Sequence, residues 1–113
     1  AAIADDEVSA LIAVQLSKIL LQYDKNVEHL SAFYNYKGRP AAITNSKKIV
    51  FFELVDLLIW SEDNRNRYLT SAEHAKKSGY KAWELIMTGK PSSEAAINLD
   101  KLNYSKQTDF LNQ

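Results

Sequence analysis

Arg67 and His74 are the residues of this chain whose types and spacing are best suited to chemistry. On a helix, a separation of seven positions brings two side chains to nearly the same face, about 10 Å apart along the axis. The arginine could hold a phosphate group while the histidine moves a proton. Metal-independent cleavage of RNA requires both roles, so the pair is a candidate catalytic site.

The segment from Arg67 to His74 resembles the Arg–His element of the HEPN ribonucleases over eight residues. Tyr68 follows Arg67 at a position where that family usually has a polar residue. The resemblance implies a small helical bundle, a site that is often built across a dimer, and Arg67 and His74 as its residues. A metal-independent ribonuclease is therefore one alternative function.

A second set of candidate residues is basic and lies between residues 65 and 90, where only Glu73 and Glu84 oppose the positive charge. Part of this stretch resembles a helix-turn-helix in the spacing from Ala75 to Gly79. Because basic side chains on one face can neutralise phosphates, nucleic-acid association is the other alternative function. The residues expected to form this face are Arg65, Arg67, Lys76, Lys77, Lys81 and Lys90.

Glu53 and Asp56 form a carboxylate pair that could share a proton or a metal ion if both lay on one helix face. A two-metal helical bundle also needs a Glu-x-x-His spacing, whereas His29 and His74 each follow a glutamate directly. We therefore expect neither a metal nor another cofactor. The two carboxylates are expected to be the polar stripe of an apolar helix, either solvated or paired with a basic neighbour.

Composition excludes several classes of site. The chain has no cysteine, so disulfides and thiolate metal sites are excluded. Fourteen basic and fourteen acidic residues give a formal net charge of zero, which removes any overall attraction to nucleic acid or to anionic membranes. The longest apolar run, residues 47–60, is too short for a bilayer, so membrane insertion is not expected. A cytoplasmic location is expected, although a mature exported chain fits the same residues.

Apolar residues at steps of three or four predict a single domain over residues 1–113 with helices as its main elements. The predicted helices are residues 5–36, 46–60 and 62–88, followed by a shorter one from Ser92 or Ser93 to about residue 102. Gly79 leaves the continuity of the third helix open, and the tail after about residue 104 is expected to fray. No stretch alternates with period two, so the predicted fold class is all-α, an up-and-down helical bundle.

Residues 46–60 would be apolar in almost every direction around a helix, apart from Glu53 and Asp56. Such a helix requires neighbours on several sides, and these can belong to another chain. The leading hypothesis is therefore a non-enzymatic, self-associating protein-interaction module that acts as an adaptor, inhibitor or accessory subunit. Its expected interface residues are Phe51, Phe52, Trp60, Tyr80 and Trp83.

Overall fold

The computed structural model describes the backbone of residues 2–112 and the side chains of residues 13–111. This part of the chain contains both helices and a substantial sheet, so the predicted all-α, up-and-down helical bundle is wrong. The helices are α1 (Ala2–Asn26), α2 (Glu62–Lys77) and α3 (Ser93–Lys101), with a 3-10 helix at Phe110–Asn112. The strands are β1 (Leu30–Tyr36), β2 (Arg39–Thr44), β3 (Lys48–Glu53), β4 (Leu57–Leu58), β5 (Ala82–Met87), β6 (Lys90–Pro91) and β7 (Tyr104–Gln107).

The main sheet has five strands in the order β1-β2-β3-β5-β7. Strand β2 is antiparallel to both of its neighbours, whereas β3, β5 and β7 are parallel to one another. In the main sheet, all strands except β2 therefore run in the same direction. The end of the sheet at which they finish is here called the carboxyl edge, and the end at which they begin is called the amino edge; neither term refers to an edge strand. Strands β4 and β6 form a separate parallel pair just beyond β3 and β5.

Helices cover both faces of the sheet. On one face, α2 and α3 pack on Ile49 and Phe51 of β3. On the other face, α1 and the 3-10 helix pack on Val50 and Phe52. A strand between two helical layers is apolar on both sides, so its sequence lacks the period-two alternation of a half-exposed strand. For this reason the sequence pattern of residues 46–60 is the same as that of a helix that is apolar on every side.

The first predicted helix is too long, because α1 ends at Asn26 and Leu30 begins a strand. The side chain of Asp24 accepts a hydrogen bond of 2.8 Å from the backbone N–H of Leu30, which fixes the change of direction. Apolar residues happen to recur at steps of three or four within strand β1 as well as within α1. Period alone therefore did not separate the helix from the strand that follows it.

The third predicted helix is also too long. Gly79 has a φ of 83°, and the N–H groups of Gly79 and Tyr80 bond back to Lys76 and Ala75 at 3.2 and 3.1 Å. This is a Schellman motif, which ends α2 and leads into β5. The short helix expected from Ser92 or Ser93 corresponds to α3. In the segment where the tail is expected to fray, strand β7 begins at the buried Tyr104.

None of the helices in the described residues combines the length and the apolar character that a membrane span requires.

Candidate functional site

The turn between β1 and β2 projects from the carboxyl edge of the sheet. Its two residues, Lys37 and Gly38, have φ values of 50° and 84°. Two successive residues with positive φ are typical of a tight two-residue hairpin turn. Arg39 follows as the first residue of β2. The register pairs Ala41 with Phe51, and two further steps place Arg39 across from Glu53 at the end of β3.

Arg39 and Glu53 form a buried ion pair with exposures of only 6% and 7%. Arg39 Nη1 lies 3.5 Å from Glu53 Oε1, and Arg39 Nη2 donates a hydrogen bond of 2.5 Å to Ser71 Oγ on α2. The guanidinium also lies over the rings of Phe51 and Tyr68, at 5.4 and 4.9 Å from their centroids. These contacts compensate part of the cost of burying a charge.

Arg67 brings a second guanidinium to the same carboxylate. Its Nη1 lies 3.4 Å from Glu53 Oε1, and its side chain is 49% exposed. Two arginines thus share one carboxylate oxygen, which leaves one excess positive charge within this cluster. Nearby, the buried Tyr68 hydroxyl makes no hydrogen bond within the described residues. Its burial, followed by the negative charge of Glu53, raises the pKa of Tyr68 well above its usual value.

Two clefts meet at this cluster. The larger cleft has a volume of about 720 Å³, and the smaller one, on the α2 side of the hairpin turn, has a volume of about 290 Å³. Both are lined by Lys37, Arg39 and Arg67. The larger cleft also has an apolar wall made of Leu16, Leu20, Phe33, Phe52 and Leu54. The lining of the smaller cleft includes the polar residues Asp63, Asn66, Thr70 and Ser71.

Strand β1 borders the larger cleft and forms one edge of the main sheet. None of its seven residues is charged, and Phe33 near its centre is 62% exposed. Edge strands are usually protected by charge, proline or irregularity. Strand β1 has only one irregularity, between Leu30 and Ala32. By contrast, the opposite edge strand β7 is short and contains Lys106.

The amino edge holds a second buried polar cluster. Lys48 Nζ lies 3.0 Å from Glu84 and 3.5 Å from Glu28. The hydroxyl of Tyr23 donates a hydrogen bond of 2.6 Å to Glu84. Burial, together with this bond, raises the pKa of Tyr23. Since these groups satisfy one another in the interior, the cluster fastens α1 to the sheet.

The six residues of the predicted basic face do not share one face. Arg65, Arg67, Lys76 and Lys77 belong to α2, whose exposed residues also include Glu62, Asp63 and Glu73. Lys81 lies at the amino edge, where its N–H bonds to Lys47. Lys90 lies at the carboxyl edge, 3.6 Å from Asp109. Lys76 and Lys77 occupy the last turn of α2, where a positive charge favourably meets the helix dipole.

Both residues of the proposed ribonuclease pair are directed towards the β1–β2 hairpin. Arg67 contacts Glu53, and the ring of His74 stacks on Tyr36 with 4.6 Å between centroids. The helical bundle implied by the HEPN resemblance is not the fold of this chain. The sequence prediction does not include Arg39, which completes the cluster, because a helix over residues 5–36 leaves no strand that could form a hairpin with β2.

The expected interface residues separate into two groups. Phe51 and Phe52 are almost completely buried in the core of the chain itself. Trp60, Tyr80 and Trp83 are half-buried; Trp60 stacks on Tyr68, and Trp83 Nε1 donates to the carbonyl of Leu102 at 2.8 Å. The predicted carboxylate pair is also divided, since Glu53 is buried and paired with arginine whereas Asp56 is exposed.

Within the described side chains, no group of three or more histidine, aspartate or glutamate residues is arranged to hold a metal ion. No protein-family model matches the sequence, and comparisons with curated proteins and with solved structures found no match. The fold and its exposed edge strand β1 are therefore the basis for a functional proposal.

Proposed function

We propose that this protein is a non-enzymatic interaction module that associates with a second copy of itself through strand β1. The observation that carries this proposal is an edge strand of seven uncharged residues with an exposed phenylalanine near its centre. An unprotected edge presents backbone N–H and C=O groups that another strand can pair with. At about 3.4 Å per residue, the strand offers a pairing length of about 24 Å.

A second copy is the partner that best fits the composition of β1. If two β1 strands pair in antiparallel fashion about Phe33, Phe33 lies opposite its counterpart and Ser31 lies opposite Asn35. No like charges then meet across the pair, and aromatic cross-strand neighbours stabilise such a sheet. The product is a continuous sheet through both copies, with two-fold symmetry.

Sedimentation velocity over a range of protein concentrations tests this proposal. The wild-type chain should show a concentration-dependent dimer. Phe33→Lys should weaken the dimer at least tenfold, because it places two lysines opposite each other at the centre of the pairing. Phe33 is exposed, so the fold of this variant should persist in circular dichroism.

Leu21→Lys is the matched control, since Leu21 is 71% exposed on α1 and does not belong to β1. It makes the same chemical change at a similarly exposed apolar residue, and its dimer should match that of the wild type. A wild-type chain that stays monomeric at the highest concentration would refute the proposal. Equal weakening by the two variants would also refute pairing through β1.

A further inference from the structure

We infer that the two carboxyl-edge clefts form one binding site for a phosphate monoester carried on an apolar body. The inference goes beyond self-association and depends on charged residues outside β1, although Phe33 of β1 also lines the larger cleft. The larger cleft has three cationic side chains, Lys37, Arg39 and Arg67, against the single carboxylate of Glu53. The smaller cleft adds the carboxylate of Asp63, so the combined site has an excess of one positive charge. A phosphate monoester carries a charge of about −1.5 to −2 at neutral pH, and this excess favours such an anion.

The donors for the phosphate converge from two elements. Lys37 belongs to the hairpin turn, and Arg67 belongs to α2. Arg67 contributes one hydrogen bond, through Nη1, to Glu53, and half of its side chain is exposed. Arg39 is committed to Glu53 and Ser71, so it supplies charge from beneath the site. The lining of the smaller cleft adds the side chains of Thr70 and Asn66, which can donate to phosphate oxygens.

The apolar wall of the larger cleft determines what carries the phosphate. Two leucines of α1, Leu16 and Leu20, line this space together with Leu54, which follows β3. Phe33 and Phe52 complete the apolar wall. A cleft of about 720 Å³ is of the size that encloses a small organic ligand. An aryl or alkyl group can therefore lie against the apolar wall while its phosphate meets Arg67 and Lys37. Inorganic phosphate can contact only the charged side chains of the site, and an uncharged apolar molecule can contact only the apolar wall.

Isothermal titration of the intact protein with phenyl phosphate tests the site. Inorganic phosphate and benzyl alcohol serve as probes of the two ends, and each should bind at least tenfold more weakly than phenyl phosphate. Arg67→Gln should weaken phenyl phosphate binding at least about tenfold, because hydrogen bonds to charged groups contribute more than that factor. Binding should also weaken below about pH 6, where the phosphate loses its second charge.

Arg65→Gln is the matched control, since Arg65 is an exposed arginine on the same helix that lines neither cleft. It should leave the affinity for phenyl phosphate unchanged. Equal losses in the two variants, absence of phenyl phosphate binding, or equally tight binding of inorganic phosphate would each overturn the inference. The sedimentation of Phe33→Lys is measured without phosphate compounds, so failure of one proposal is distinguishable from failure of the other.

Discussion

Replacing Glu53 with glutamine should destabilise the protein strongly, although the two side chains have nearly the same shape. The change removes the negative charge that faces Arg39 and Arg67 at 3.5 and 3.4 Å. Arg39 is only 6% exposed, so its guanidinium would remain buried without an opposing charge. The physical cause of the loss is the desolvation of Arg39, which the carboxylate no longer offsets.

The magnitude follows from the burial and from the contacts that remain. Removing one partner of a buried ion pair costs about 3–5 kcal/mol. Arg39 keeps its hydrogen bond to Ser71 and its contacts with the rings of Phe51 and Tyr68. We therefore expect the lower end of this range, about 3 kcal/mol. With a urea dependence of about 1.5 kcal/mol/M, the midpoint of unfolding should fall by about 2 M.

Equilibrium urea unfolding, followed by circular dichroism, measures this shift. Asp56→Asn is the matched control, because Asp56 is an exposed carboxylate three positions further along the chain. Exposed substitutions of this kind change stability by at most about 0.5 kcal/mol. If Glu53→Gln shifted the midpoint no further than Asp56→Asn, the explanation based on a buried ion pair would be refuted.

Three further predictions concern the backbone, the cleft and the tyrosines. Gly79→Ala should lower the free energy of unfolding in urea by about 1 kcal/mol, because a φ of 83° is unfavourable for alanine although the space around it is open. Gly89→Ala should lower it by more, since the added methyl group would lie 2.0 Å from the carbonyl oxygen of Asp56. A smaller loss at Gly89 than at Gly79 would contradict this order. Glu53→Gln should bind phenyl phosphate more tightly in calorimetry, and weaker binding would contradict the role of positive charge in the cleft. Burial raises the pKa of Tyr34 to about 12. The contribution of its neutral hydroxyl to stability is therefore complete below pH 10 and is lost as the pH rises towards 12. The urea midpoint of the wild-type chain should fall from pH 9 to 11, and the midpoint of Tyr34→Phe should fall less over the same range.

Local signals in the sequence predicted some features correctly. Ser92 and the residues after it have the cap and the spacing of a short helix, and the structure has α3 there, with the Ser92 side chain accepting from the N–H of Ala95. This helix depends on residues close in sequence, so the sequence displays it directly. Arg67 and Glu53 are candidate residues in the sequence for separate reasons, and only the structure shows that they are in contact.

The wrong predictions share one physical cause. Whether an apolar segment becomes a strand or a helix depends on what covers it, and residues 48–53 are covered on both faces by helices from distant parts of the chain. The same applies to Arg39, whose partners Glu53 and Ser71 lie 14 and 32 positions away. No periodicity within a short window contains that information.

The sequence by itself determined that the chain is rich in apolar residues, has no thiol chemistry and has no formal net charge. Those properties follow from residue types alone. Only the tertiary structure decided that β1 is an uncharged sheet edge and that Lys37, Arg39, Glu53 and Arg67 converge at one end of the sheet. Sheet pairing joins residues that are far apart in sequence, because parallel neighbours such as β3 and β5 need a long crossover, which here contains α2.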